Sequence, residues 1–167
     1  PILSAAGIEV SVIPTAVLST HTGGLDGYTY RDLTSDIMPI ISHWQSLDLG
    51  FDAVYTGFLG SYEQIDIVSE VFDRLKKPGS LIVVDPVMAD NGRLYSVFDE
   101  HFPNGMKKLC QKADLIVPNI TEAALMLQKP YTSGPYDTGY IEELLHGLAE
   151  LGPRQVVLTG VCFDDEQ

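Results

Sequence analysis

Leu81-Ile82-Val83-Val84-Asp85-Pro86-Val87-Met88-Ala89-Asp90 is the stretch on which the reading of the fold turns. Its first four residues form a short, wholly apolar run, which is what a strand buried on both faces requires. The acid that follows at once, Asp85, belongs at the edge of a sheet rather than in its core. Upstream, Ile65, Val68, Val71, Phe72 and Leu75 make a helical stripe that ends in Lys76, Lys77, Pro78 and Gly79. Before that stripe, Ala53-Val54-Tyr55 begins another short strand. Leu33, Ile37, Ile40, Ile41, Trp44 and Leu47 recur at helical spacing, with Pro39 expected to kink that helix or to sit in its first turn. Glu9-Val10-Ser11-Val12-Ile13 alternates like a strand. Downstream the spacing predicts a helix near Asn104–Gln111, a strand at Asp114–Val117, a helix at Thr121–Leu127, a helix near Tyr140–Leu151 and a strand at Gln155–Thr159. Strand–helix alternation of this kind predicts an α/β fold: a mostly parallel sheet with helices on both faces. Pro1–Gly7 reads as the tail of a helix, and Cys162–Gln167 is polar after a strand. The expectation is one domain over residues 1–167, incomplete at both ends.

Composition narrows the function classes. The chain has 167 residues, 45% of them hydrophobic, and a net charge of −13. An acidic surface repels nucleic-acid phosphates, so nucleic acid is not an expected partner. Neither is a membrane, because no apolar run reaches the roughly 18 residues a span needs. Cys110 and Cys162 form no CxxC pair and read as reduced thiols of a cytoplasmic protein. There is no Walker A motif, no GxGxxG after a strand and no nucleophile elbow around Ser19 or Ser61.

The polar residues fall at the ends of the predicted strands. Tyr55-Thr56-Gly57-Phe58-Leu59-Gly60, Asp85–Asp90, Pro118-Asn119-Ile120-Thr121-Glu122, Thr159-Gly160 and Ser19-Thr20-His21-Thr22-Gly23-Gly24 each follow one. Ligands of open parallel sheets bind at the carboxyl ends of strands, so five such ends predict one long crevice. Asp85, Asp90, Glu122 and Asn119 offer hard oxygen ligands suited to Mg²⁺ that also holds phosphates. A plainer reading stands beside this one. Asn119 with Glu122 three residues on is a capping-box pattern, and Asp90-Asn91-Gly92 is a turn pattern. His21-Thr22 is likewise either a polar turn or a grip on the substituents of an aromatic heterocycle. His43, His101 and His146 are expected in solvent.

Four motifs in order, Thr15–Gly23, Tyr55–Gly60, Asp85–Asp90 and Val117–Glu122, resemble the signatures of the pyridoxal/pyridoxamine kinases, a family of the ribokinase-like superfamily. The resemblance implies a ribokinase-like three-layer α/β/α fold. It also implies ATP-dependent phosphorylation of the 5′-hydroxymethyl group of a B6 vitamer (pyridoxal, pyridoxamine or pyridoxine), in a cytoplasmic homodimer. Residue by residue, it puts Leu18, His21, Thr22 and Phe58 at the vitamer ring. It puts Asp85, Asp90, Tyr95, Asn119 and Thr159 near ATP and its phosphates, and Asp90 and Glu122 near Mg²⁺. Val117 stands where the family often has Thr, which bears on a monovalent cation. The family's catalytic base lies in a Gly-x-Gly-Asp stretch that residues 1–167 do not contain. It is therefore expected beyond Gln167, and the chain alone is expected to be inactive. Two alternatives remain open: a hydroxymethylpyrimidine kinase of thiamin synthesis, and a non-catalytic binding protein on the same fold.

Overall fold

The computed structural model describes residues 2–20 and 27–164. A one-turn helix α1 (Ile2–Ala5) leads into an irregular stretch, then strand β1 (Ala16–Leu18), which pairs antiparallel with β2 (Tyr30–Asp32). Helix α2 (Thr34–Ser46), strand β3 (Phe51–Thr56), helix α3 (Tyr62–Leu75) and strand β4 (Lys76–Val84) follow. A small hairpin, β5 (Ala89–Asp90) with β6 (Arg93–Leu94), precedes helix α4 (Phe102–Cys110), strand β7 (Leu115–Ile116), helices α5 (Ile120–Leu127) and α6 (Thr138–Ala149), and strand β8 (Gln155–Val156). Strands β3, β4, β7 and β8 form one sheet in that order, every pair parallel. The mostly parallel α/β architecture read from the sequence is therefore present. Among the described residues the antiparallel pairs are confined to β1–β2 and β5–β6.

Alternation along the strands shows where the core lies. Ile82, Val84 and Ile116 are buried in one cluster with Phe72 of α3, Met106 of α4, Ala123 of α5 and Leu144 of α6. Val54 and Val156 pack against that same cluster. At the alternate positions Tyr55, Leu81 and Val157 are exposed. The apolar run of β4 is thus buried on both faces only toward its carboxyl end, where Val83 lies between Tyr55 of β3 and Leu115 of β7. A second cluster joins Ile37 and Ile41 of α2 to Val71 and Leu75 of α3.

One local expectation is corrected, and of the two places expected for Pro39 the first turn is excluded. Glu9–Ile13 forms no strand, because its alternation meets no partner strand among the described residues; Val10 and Val12 are exposed. Pro39 lies inside α2, beyond the first turn, and the helix runs on to Ser46.

Candidate functional site

The carboxyl ends of β3, β4, β7 and β8 open on one cleft of about 440 Å³, lined by Tyr55, Asp85, Val87, Tyr95, Val117, Asn119, Glu122 and Thr159. The sheet register puts them there. Asp85 is the first residue after β4, and its N–H donates to the Thr56 carbonyl of β3 (3.3 Å). Asn119 and Thr159 sit opposite each other across a parallel bridge that extends the β7–β8 pairing. Asp85, Asn119 and Thr159 therefore share one edge of the sheet.

Around Glu122 the capping pattern and the cleft coincide. Asn119 is the N-cap of α5: its side chain accepts from the Glu122 N–H, while the Asn119 N–H donates to Glu122 Oε2 (2.9 Å each). The other carboxylate oxygen, Oε1, accepts from the Met88 N–H (3.1 Å). Two further contacts clamp the β5–β6 hairpin onto the start of α5. Asn119 Nδ2 donates to the Ala89 carbonyl (2.8 Å), and the Gly92 N–H donates to Thr121 Oγ1 (3.0 Å). The Tyr131 ring covers Gly92, whose φ of +75° and lack of room for a Cβ both call for glycine. Glu122 is thus held in place by the backbone it organises, while one side of it still faces the cleft.

The electrostatics follow from that enclosure. Burial pushes the Glu122 carboxyl up to about 7, with the nearby Asp85 charge adding to the rise and the backbone N–H donors opposing it. Burial also raises Asp85, against the pull of the Tyr55 hydroxyl, which donates to Asp85 Oδ2 (2.8 Å). The same contact, after burial, moves the Tyr55 phenol up to about 12. Tyr95 is raised by burial first and then by the charges of Asp90, Glu122 and Asp85. The cleft thus gathers acidic groups whose charged forms burial disfavours.

The candidates read from sequence divide in three ways. Asp85, Tyr95, Asn119, Glu122 and Thr159 come together in the cleft. Asp90 does not line it: Asp90 is exposed in the turn, its carboxylate accepting from the N–H (2.9 Å) and the side-chain amide (3.0 Å) of Asn91, as the turn reading of Asp90-Asn91-Gly92 expects. Leu18 lies in β1, and Phe58 follows β3 with its ring 5.7 Å from that of Phe98; both are outside the cleft lining. His21 and Thr22 lie outside the described residues. His43, His101 and His146 are exposed, as expected. Tyr55 was missed as a site residue. Its place beside Asp85 depends on the β3–β4 register, which no local sequence signal carries.

Comparison with known proteins places the chain in a family. Residues 3–167 match the family described as phosphomethylpyrimidine kinase. A Bacteroides thetaiotaomicron protein assigned as a phosphomethylpyrimidine kinase, crystallised with pyridoxal, is 45% identical with a TM-score of 0.92, covering 99% of this chain and 57% of that one. The pyridoxal kinase of Lactobacillus plantarum is 34% identical with a TM-score of 0.78, covering 96% of this chain and 54% of that one. The pyridoxal kinase of Arabidopsis thaliana is 30% identical over 171 residues, which is 96% of this chain and 52% of that protein. The chain thus spans about half the length of the relatives it matches.

Proposed function

From the membership of this chain in the phosphomethylpyrimidine kinase family, we propose that it supplies the phosphate side, and part of the acceptor side, of a kinase that transfers phosphate from ATP to the 5′-hydroxymethyl group of a B6 vitamer. The observation that carries this reading is the convergence of Asp85, Tyr95, Asn119, Glu122 and Thr159 on one cleft at the carboxyl ends of four parallel strands. The choice of a B6 vitamer is supported by the relatives: one, 45% identical, was crystallised with pyridoxal, and another, 34% identical, is named a pyridoxal kinase.

The donor set fits Mg²⁺. That ion keeps several waters and is usually held by one or two carboxylates together with substrate phosphates rather than by a full protein cage. Among the described residues no group of three or more His, Cys, Asp or Glu could hold a metal, whereas Asp85 and Glu122 share the cleft. Both carboxyls are raised by burial, so a cation between them and a triphosphate relieves a cost already present. When bound, Mg²⁺ supplies charge neutralisation for the transferring phosphoryl group. Asp90, assigned to the ion from sequence, lies on the hairpin outside the cleft lining, where its charge, after burial, helps to raise the Tyr95 phenol.

In this reading Asn119 and Thr159 border the nucleotide phosphates, while Leu18, His21, Thr22 and Phe58 face the vitamer. Positioning and electrostatic stabilisation then provide most of the catalysis. A cytoplasmic homodimer completes the proposal; both described cysteines are free, in keeping with a reducing compartment. The family's own description names a phosphomethylpyrimidine, which supports as the second reading the related pyrimidine kinase that takes a hydroxymethylpyrimidine.

One assay separates these readings. The protein that contains this chain is incubated with Mg-ATP and, in turn, pyridoxal, pyridoxamine, pyridoxine and hydroxymethylpyrimidine, and the products are weighed by mass spectrometry. The proposal expects kcat/KM for a vitamer to exceed that for the pyrimidine by at least about tenfold, the scale on which a shaped pocket separates acceptors. The reverse order favours the pyrimidine kinase. No phosphorylated product from any acceptor favours a binding protein.

A further inference from the structure

Gln64 is a fully buried polar side chain, with none of its surface exposed, and it lies outside the cleft. It is the third residue of α3, whose N-cap is Ser61; the Ser61 hydroxyl accepts from the Gln64 N–H (3.2 Å). A Ser-x-x-Gln pattern ordinarily forms a capping box, in which the Gln side chain returns to the N–H of the cap residue. Here it reaches one residue further. Gln64 Oε1 accepts from the Gly60 N–H (2.7 Å). Its amide nitrogen donates to the Thr15 carbonyl and to Thr34 Oγ1 (2.9 Å each), and lies 3.5 Å from Asp32 Oδ2.

Those partners belong to three separate segments: the entry to β1, the junction of β2 with α2, and the Gly57–Gly60 loop after β3. A second bond closes the ring, because Thr15 Oγ1 donates to the Phe58 carbonyl (2.9 Å). Tyr30 of β2 lies so close to Gly60 that a Cβ there would overlap its hydroxyl. Helix capping accounts for the bond between the Gln64 N–H and Ser61 but for neither end of the side-chain amide. Burying a polar group is unfavourable unless it is bonded, and here both ends of the amide are used to join loops rather than to close a helix.

We infer that Gln64 is a positioning residue that locks the β1–β2 pair and the Gly57–Gly60 loop into one unit, and so fixes Phe58 for the acceptor. The inference rests on the proposed function, in which Phe58 faces the vitamer. Gln64 lies outside the cleft that the proposed function gives to the phosphates, so its loss affects the acceptor and spares the nucleotide.

The test uses the whole protein that contains this chain and two variants. Gln64→Met keeps length and removes every polar contact of the side chain; Thr15→Val is nearly isosteric and removes only the bond to the Phe58 carbonyl. The KM values for pyridoxal and for Mg-ATP are measured, together with amide hydrogen exchange of residues 57–61. A buried hydrogen-bonding group left unpaired should weaken the pyridoxal side roughly tenfold or more. The KM for Mg-ATP should move by less than about twofold, and exchange at 57–61 should accelerate while residues 114–128 keep their protection. Equal effects on both KM values, or unchanged exchange at 57–61, overturn the inference. If Gln64→Met does not fold, Thr15→Val is read by the same criteria. A wild-type protein that phosphorylates no B6 vitamer refutes the proposed function instead, and the exchange rates in Thr15→Val still decide whether this bond network holds the loop.

Discussion

Two demands meet at Glu122, a sealed helix cap and an acidic cleft, and the same backbone contacts serve both. Replacing Asn119 with Ala removes the cap and the bond to the Ala89 carbonyl together. Chemical denaturation should show a loss of about 0.5–2 kcal/mol, the usual range for an N-cap. The Glu122 carboxyl also makes stability depend on pH. Its folded value of about 7 lies above its ordinary 4.5, so the folded state binds the proton more tightly than the unfolded state does. The cost of burying the charged form is absent below about 4.5, grows through that window and is complete above about 7. In magnesium-free buffer the wild type should therefore gain stability as pH falls from 7 toward 5, and Glu122→Gln should lose that component of the slope. At this scale the sequence was legible where a pattern is local. The Asn119–Glu122 spacing is a capping box, and Asp90-Asn91-Gly92 is a turn. Tyr55 was not legible, because its bond to Asp85 spans 30 residues and exists only once β3 and β4 are in register.

The two helices that flank β3 show what packing adds to pattern. The stripes of α2 and α3 could be read from spacing, and they meet through Ile37, Ile41, Val71 and Leu75. Ile41 is completely buried, so Ile41→Ala should cost about 2–5 kcal/mol, the range for truncating a large core residue. A urea titration measures it, and the midpoint should move without a change in slope if the native state stays compact. The alternation of Glu9–Ile13 is as regular as that of a strand, yet the segment forms none. A strand is defined by its partner, and a short stretch of sequence does not name one. The hairpin of β5 and β6 was hidden for a related reason. Each of its strands has two residues, too short for any period, and it is kept in place by contacts from Asn119, Thr121 and Tyr131 on later parts of the chain.

Across the whole molecule, the order β3-β4-β7-β8 lets each strand deliver its following residue to the same edge. Asp85, Asn119 and Thr159 are far apart in sequence and share one cleft for that reason alone. This much followed from strand–helix alternation and from the rule that ligands bind at the carboxyl ends of parallel strands. Which of those residues would face one another did not follow, because it depends on register and on the clamp over the hairpin. The interior should also be chemically quiet. Cys110 is fully buried, and burial pushes its thiol up to about 12, so the native protein should leave it unmodified by iodoacetamide while the partly exposed Cys162 reacts. Peptide mapping after brief labelling reads both sites. The central claim, that this cleft is where phosphate is transferred to a vitamer, meets its most direct test in the steady-state kinetics of Asp85→Asn in the whole protein at saturating Mg-ATP and pyridoxal. The account predicts that kcat falls by about a hundredfold or more, the scale seen when a preorganised charge-stabilising group is removed, with the melting temperature little changed. Turnover equal to that of the wild type would contradict it.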